Sequence, residues 1–217
     1  MKTKCSEKLS FPNSLKCLTI ASTAYSIIRS ESLFPRSLTK LVIDHSYYDC
    51  VRMYGSEIFS LLEFLTIEDY DNQSEDISDI KFPQTVKHLS LSGYFNRDLS
   101  FLKYPQLESL TLGDSFDKSI KNIHLPHSLK KLKLGYKFNQ NIIDANLPEL
   151  VDLEFGWRFN KSVRNANLPK SLQKMTVGWC FCQQNLDQCN LPKRLIIFQN
   201  KNDGKKILLY SSIPPIK

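Results

Sequence analysis

The chain has 217 residues, 41% hydrophobic and 24% charged, a balance that suits one globular domain and excludes a disordered one. No stretch approaches the ~18–20 apolar residues of a membrane helix, and the N-terminus lacks the apolar core of a secretory signal. The expectation is a soluble, cytoplasmic protein with no membrane contact, whose six cysteines are reduced thiols. Net charge is +7, distributed unevenly: residues 51–100 carry −5, with Glu68, Asp69, Asp71, Glu75, Asp76 and Asp79 close together, whereas residues 151–217 carry +7.

Along the chain one short pattern returns. After a ten-residue N-terminal cap, FPNSLKCLTI at 11–20 recurs as FPRSLTKLVI at 34–43, weakly as LLEFLTI at 61–67, and as FPQTVKHLSL at 82–91. YPQLESLTL at 104–112, LPHSLKKLKL at 125–134, LPELVDLEF at 147–155, LPKSLQKMTV at 168–177 and LPKRLIIF at 191–198 complete the series. The first leucine-like position falls at Leu15, Leu38, Leu62, Val86, Leu107, Leu129, Leu150, Leu172 and Leu195, in steps of 21 to 24 residues. A repeat of that length is the mark of a solenoid, in which each unit buries its apolar side only against its neighbours.

Within a unit the spacing is L-x-x-L-x-L, and its last two apolar positions alternate as in a half-buried strand. Proline stands ahead of the strand, where its missing N–H costs no ladder bond. Glycine follows at Gly113, Gly135, Gly156 and Gly178, and one place later at Gly93, which predicts a sharp turn with positive φ. Further on come Phe95, Phe116, Phe138, Phe159 and Phe181, expected as a stacked internal spine rather than an aromatic ligand box. Asn96, Asp117, Asn139 and Asn160 follow these phenylalanines, and Asn146, Asn167 and Asn190 precede Leu-Pro pairs. Both sets read as turn-satisfying ladders. After Phe198, Asp203-Gly204 predicts a polar turn, and 207–213 an apolar cap.

The fold expected is mostly β, a single right-handed leucine-rich-repeat-like solenoid of about nine 21–24-residue rungs with a parallel sheet on one face. It fills residues 1–217: a cap at 1–10, degenerate repeats at 11–80, well-formed repeats at 81–198 and a cap at 199–217.

The unit LPxSLxxLxLGxxFNxxI, best matched by LPHSLKKLKLGYKFNQNI at 125–142, resembles the FNIP repeat. That leucine-rich-repeat relative is known chiefly from social amoebae and giant DNA viruses, which would place a viral member in the host cytoplasm. The resemblance is strong from 82 to 192 and weak before 80. In that family the repeats often follow an F-box, which implies a substrate adaptor of a ubiquitin ligase. Only ten residues precede the first repeat in this sequence, so no F-box is expected.

Function is expected where columns are exposed. On the strand face, Lys131 and Lys133 should lie beside Asp152 and Glu154, with Lys174 beyond. The face is read from Cys17 and Thr19 in the first rung to Ile197 and Gln199 in the last. The interleaved signs favour a self-neutralising ladder over a binding strip, and disfavour nucleic acid there. Tyr136, Trp157 and Trp179, two residues past their strands, are either a structural stack or interface anchors. These eight residues are the candidate partner-binding set. The function expected is a non-catalytic protein-interaction scaffold, monomeric, with no cofactor and no metal. Cys180, Cys182 and Cys189 lack a fourth ligand for zinc. The alternative is nucleic-acid binding through Arg158, Lys161, Arg164, Lys170, Lys193 and Arg194.

Overall fold

A computed structural model describes residues 11–20, 34–44, 58–69, 83–100, 102, 104–201 and 204–211. The expected N-terminal cap, most of the acidic loop and residues 212–217 lie outside them. Among the described residues ten strands follow in chain order: β1 Cys17–Ile20, β2 Lys40–Asp44, β3 Phe64–Asp69, β4 His88–Gly93, β5 Ser109–Leu112, β6 Lys131–Lys133, β7 Asp152–Glu154, β8 Lys174–Val177, β9 Ile196–Asn200 and β10 Lys206–Ser211. They form one sheet in sequence order. Strands β1 to β9 run parallel, one per repeat, and β10 turns back antiparallel to β9. The repeat count of nine thus corresponds to the parallel strands. The tenth strand lies in the expected cap, reached through a hairpin in which Gly204 has φ +78°.

Six of the strands begin at a turn closed on the proline carbonyl. The amide of Leu129 donates to the Pro126 carbonyl at 3.0 Å, and Leu15, Leu38, Val86, Leu172 and Leu195 repeat the bond to Pro12, Pro35, Pro83, Pro169 and Pro192. The register then stacks like on like. Leu18, Leu41, Leu65, Leu89, Leu110, Leu132, Leu153, Met175 and Ile197 form one line across the sheet. All are buried.

Behind the sheet the phenylalanine spine is as the spacing predicts. Successive centroids of Phe95, Phe116, Phe138, Phe159 and Phe181 stand 6.2, 6.0, 6.1 and 5.9 Å apart with rings nearly parallel. Burying one such ring stabilises the fold by about 1.5–3 kcal/mol. Beside it runs a polar ladder: the Asn96, Asp117, Asn139 and Asn160 side-chain oxygens each accept the amide of the equivalent residue one rung later, all at 2.9 Å. Asn146, Asn167 and Asn190 make no side-chain hydrogen bond among the described residues, so the second expected ladder is not formed. A serine column does a similar task instead. Ser37, Thr85, Ser128 and Ser171 donate to the carbonyls of Leu15, Leu62, Leu107 and Leu150 in the previous rung.

The glycines have a different cause from the one expected. Of the strand-exit glycines only Gly93 has positive φ, at +70°. The other four are places where one rung's backbone lies on the next. A Cβ on Gly135 would stand 1.7 Å from the Gly113 carbonyl oxygen, and on Gly156 and Gly178 about as close to Gly135 and Gly156. Any side chain there would separate the rungs.

The last rung also departs from the reading. Its face residues are Ile196 and Phe198, in register with Lys174 and Thr176, while Ile197 and Gln199 are buried. One residue is missing between the leucine and the strand: Gln173 and Lys174 both donate to the Val151 carbonyl, but only Ile196 donates to Gln173. The alternation is therefore shifted by one place. Thr176, expected on the exposed face, is fully buried, and its hydroxyl has no hydrogen-bond partner.

Three substitutions test this packing. Gly135→Ala should lose about 3 kcal/mol in urea unfolding, because the clash is with backbone. Gly204→Ala, with open space but left-handed φ, should lose only about 1 kcal/mol. Thr176→Val should gain about 1 kcal/mol by replacing an unbonded buried hydroxyl with a methyl; a loss in the same assay would mean that the hydroxyl is satisfied.

Candidate functional site

The eight candidate residues fall in three adjacent rungs, β6 to β8 and the turns that follow them. Parallel pairing puts Lys131 opposite Asp152, Lys133 opposite Glu154, and Asp152 opposite Lys174. Two ion pairs result: Lys133 Nζ to Glu154 Oε1 and Lys174 Nζ to Asp152 Oδ2, each 3.0 Å. Asp152 pairs with Lys174 and not with Lys131, which is left as an exposed cation without an ion pair among the described residues. Exposed pairs of this kind contribute about 0.2–1 kcal/mol each. Their larger effect is to cancel the face's charge locally.

At the sheet edge the second group forms a column. Tyr136 and Trp157 stack with centroids 5.9 Å apart and planes at 14°, and Trp157 and Trp179 follow at 6.3 Å and 31°. The column is at once a stack and a surface, since Tyr136 is 42% and Trp179 44% exposed. The rung spacing fixes the rings, so an exposed aromatic strip is held rigid before any partner arrives. Lys137 and Arg158 follow Tyr136 and Trp157 in sequence and are both exposed.

Sequence reasoning missed the far end of this column. Lys201 lies 22 residues after Trp179, one repeat length, and its Nζ stands 4.9 Å from the Trp179 ring centroid. The Gln199 Oε1 accepts from Lys201 Nζ at 2.8 Å. The Gln199 amide nitrogen donates to the carbonyls of Gly178, Trp179 and Phe181 at 3.2, 3.2 and 2.8 Å. In earlier rungs the next rung's backbone helps satisfy this turn, as when Arg158 donates to Tyr136 and Cys180 to Trp157. Gln199 supplies that hydrogen bonding where β10, not a further parallel rung, follows β9, so this expected face residue is a buried cap. Counting in repeat lengths from Trp179 would have found Lys201.

A second aromatic contact lies on the face near the N-terminal end, where the Phe64 and His88 rings stack at 4.3 Å. Beside it the Lys87 ammonium donates to Glu63 at 2.8 Å, holding that carboxyl below its ordinary range, while Glu63 raises Lys87. This pair is present at neutral pH and is lost as pH falls through the lowered Glu63 value or rises through the raised Lys87 value.

Arg158, Lys161, Arg164, Lys170, Lys193 and Arg194 are all exposed, and none makes an ion pair among the described residues. Cys180 and Cys182 are exposed free thiols, and no group of three or more metal-ligating side chains forms among the described residues. Cys189 is half-buried. Burial pushes its thiol up, opposed by the Arg164 charge and reinforced by Asp187. Less thiolate at neutral pH means slower alkylation. Iodoacetamide labelling followed by mass spectrometry should therefore modify Cys180 and Cys182 before Cys189.

No helix among the described residues is long and apolar enough to cross a membrane. No curated protein matches the chain. Among solved structures it is similar to CroV588, described as a novel circular LRR protein, at 30% identity and a TM-score of 0.66. That likeness covers 86% of this chain but 27% of that one, so the chain spans about a quarter of its length. Residues 105–137 and 138–179 match the model of the FNIP repeat. Residues 105–179 therefore match two FNIP repeats, within a solenoid of the leucine-rich-repeat type.

Proposed function

We propose that the chain is a non-catalytic scaffold that binds a protein partner across its sixth to eighth rungs, as a monomer in the cytoplasm. The observation that carries this is the rigid, exposed column of Tyr136, Trp157 and Trp179 beside a charge-balanced sheet face. Aromatic side chains concentrate binding energy at interfaces. Rings already held by stacking lose little freedom on binding, which favours affinity. The Lys133–Glu154 and Lys174–Asp152 pairs would orient the partner rather than drive its binding, and Lys131 offers one unpaired cation for an acid opposite. A catalytic reading has less support, because His88 stacks on Phe64 in β3 and β4, while His124 and His127 lie together ahead of β6.

Nucleic-acid binding through the basic return loops is the competing reading, favoured by the six unpaired cations there. Affinity capture from lysate with the purified chain separates the two, run at low and high salt and with and without nuclease. A discrete protein retained through salt and nuclease is expected. Its recovery should fall at least tenfold, about 1.4 kcal/mol or more, in the Trp157→Ala/Trp179→Ala variant. Reversing Lys170, Lys193 and Arg194 to Glu should leave it unchanged. Recovery that collapses with nuclease, or that depends on those three cations and not on the tryptophans, overturns the proposal. Ubiquitin-ligase subunits among the captured proteins would identify the scaffold as a substrate adaptor.

A further inference from the structure

The aromatic column has an electrostatic character that its composition does not announce. An aromatic ring is negative on its faces and positive at its edge. In this column Tyr136, Trp157 and Trp179 turn their faces to one another, and Lys201 covers the outer face of Trp179 at 4.9 Å. The inner faces are thus shared between rings, which leaves the electropositive rims and the outer face of Tyr136 for further contacts.

The charges around the rim have the same sign. Lys137 and Arg158, next in sequence to Tyr136 and Trp157, are exposed and make no ion pair among the described residues. Lys201 has no acidic partner there either; its hydrogen bond is to the neutral Gln199 amide, which three backbone carbonyls hold in place. That cation is positioned, not free to wander. Of the acids nearby in sequence, Glu154 is held by Lys133 at 3.0 Å, and Asp114 occupies the column position before Tyr136, where the strip ends. Three rungs thus present ring edges and cations that form no ion pair among the described residues, bounded by Asp114 in the rung before Tyr136.

We propose that this strip binds an extended acidic peptide, whose Asp and Glu carboxylates are held by Lys137, Arg158 and Lys201 and lie against the ring edges. The inference rests on the reading of the column as a contact surface and names the partner's chemistry. Carboxylates fit better than nucleobases, because a base needs an open ring face to stack upon. Here each inner face lies against another ring, and Lys201 covers one end.

The probe is a fluorescein-labelled peptide of alternating Asp and Glu, about eight residues long so as to exceed the strip. It is titrated against the full chain by anisotropy, alongside its Asn/Gln counterpart and a single-stranded oligouridylate. The acidic peptide should bind, weaken with salt, and exceed the amide peptide by about tenfold or more. Arg158→Glu, and separately Lys201→Glu, should each weaken it about tenfold with the circular dichroism unchanged, while Lys170→Glu should not. Equal binding of the amide peptide, no binding of the acidic one, indifference to both reversals, or tighter binding of the oligouridylate would each overturn the inference. If the acidic peptide fails while the tryptophan variant still abolishes partner capture, the surface stands and only its acidic partner falls. If the peptide binds as expected but capture ignores the tryptophans, the scaffold reading falls instead.

Discussion

The structure depends on close, in-register stacking of one backbone rung on the next. Parallel strands stand about 4.7–4.9 Å apart, and at the strand exits the approach is tighter, with Gly135 lying against the Gly113 carbonyl where no Cβ fits. Once successive rungs are held at that distance, every side chain meets its own equivalent one repeat away. A residue type suits a column only if it packs against itself. Phenylalanine does so by stacking, asparagine by accepting the next rung's amide, and serine by donating to the previous rung's carbonyl. The repeat in the sequence is the record of that requirement.

The same constraint explains what was legible. Leucine periodicity identified the strands and their order, because a buried column admits few substitutes. The phenylalanine spine and the Asn96 series were readable for the same reason. The cause of the glycines was not, since positive φ and steric contact select the same residue and only coordinates separate them. The last rung was misread by one place because a single residue is missing before Ile196, and alternation has period two, so one deletion exchanges face for core. That slip put Gln199 on the surface when it is a buried cap.

Ends are where such a fold must depart from its repeat. A rung satisfies its turn carbonyls partly with donors from the next rung, so the final rung needs a substitute. Gln199 provides one with a side chain, and β10 provides another by folding back antiparallel on β9. Neither solution repeats elsewhere among the described residues, and neither follows from the repeat pattern. In placing Gln199 the fold also fixes Lys201 over Trp179, so the cap and the aromatic column form one unit.

Columns that do not serve the core are under no such rule, and there the chain can vary from rung to rung. The position after each strand-exit glycine shows this well: Gly93 and Asp114 give way to Tyr136, Trp157 and Trp179, and then to Lys201. A core column with that sequence would not pack. On the surface it makes a bounded strip, with an acid at one end and a cation at the other. The solenoid sets the spacing of those groups, and the departure from repetition decides their chemistry. The strand face varies too, but its lysines and acids alternate across neighbouring strands and so cancel. The two surfaces therefore divide the work. One is neutralised by its own rungs, while the other, three rungs long, carries cations that form no ion pair among the described residues.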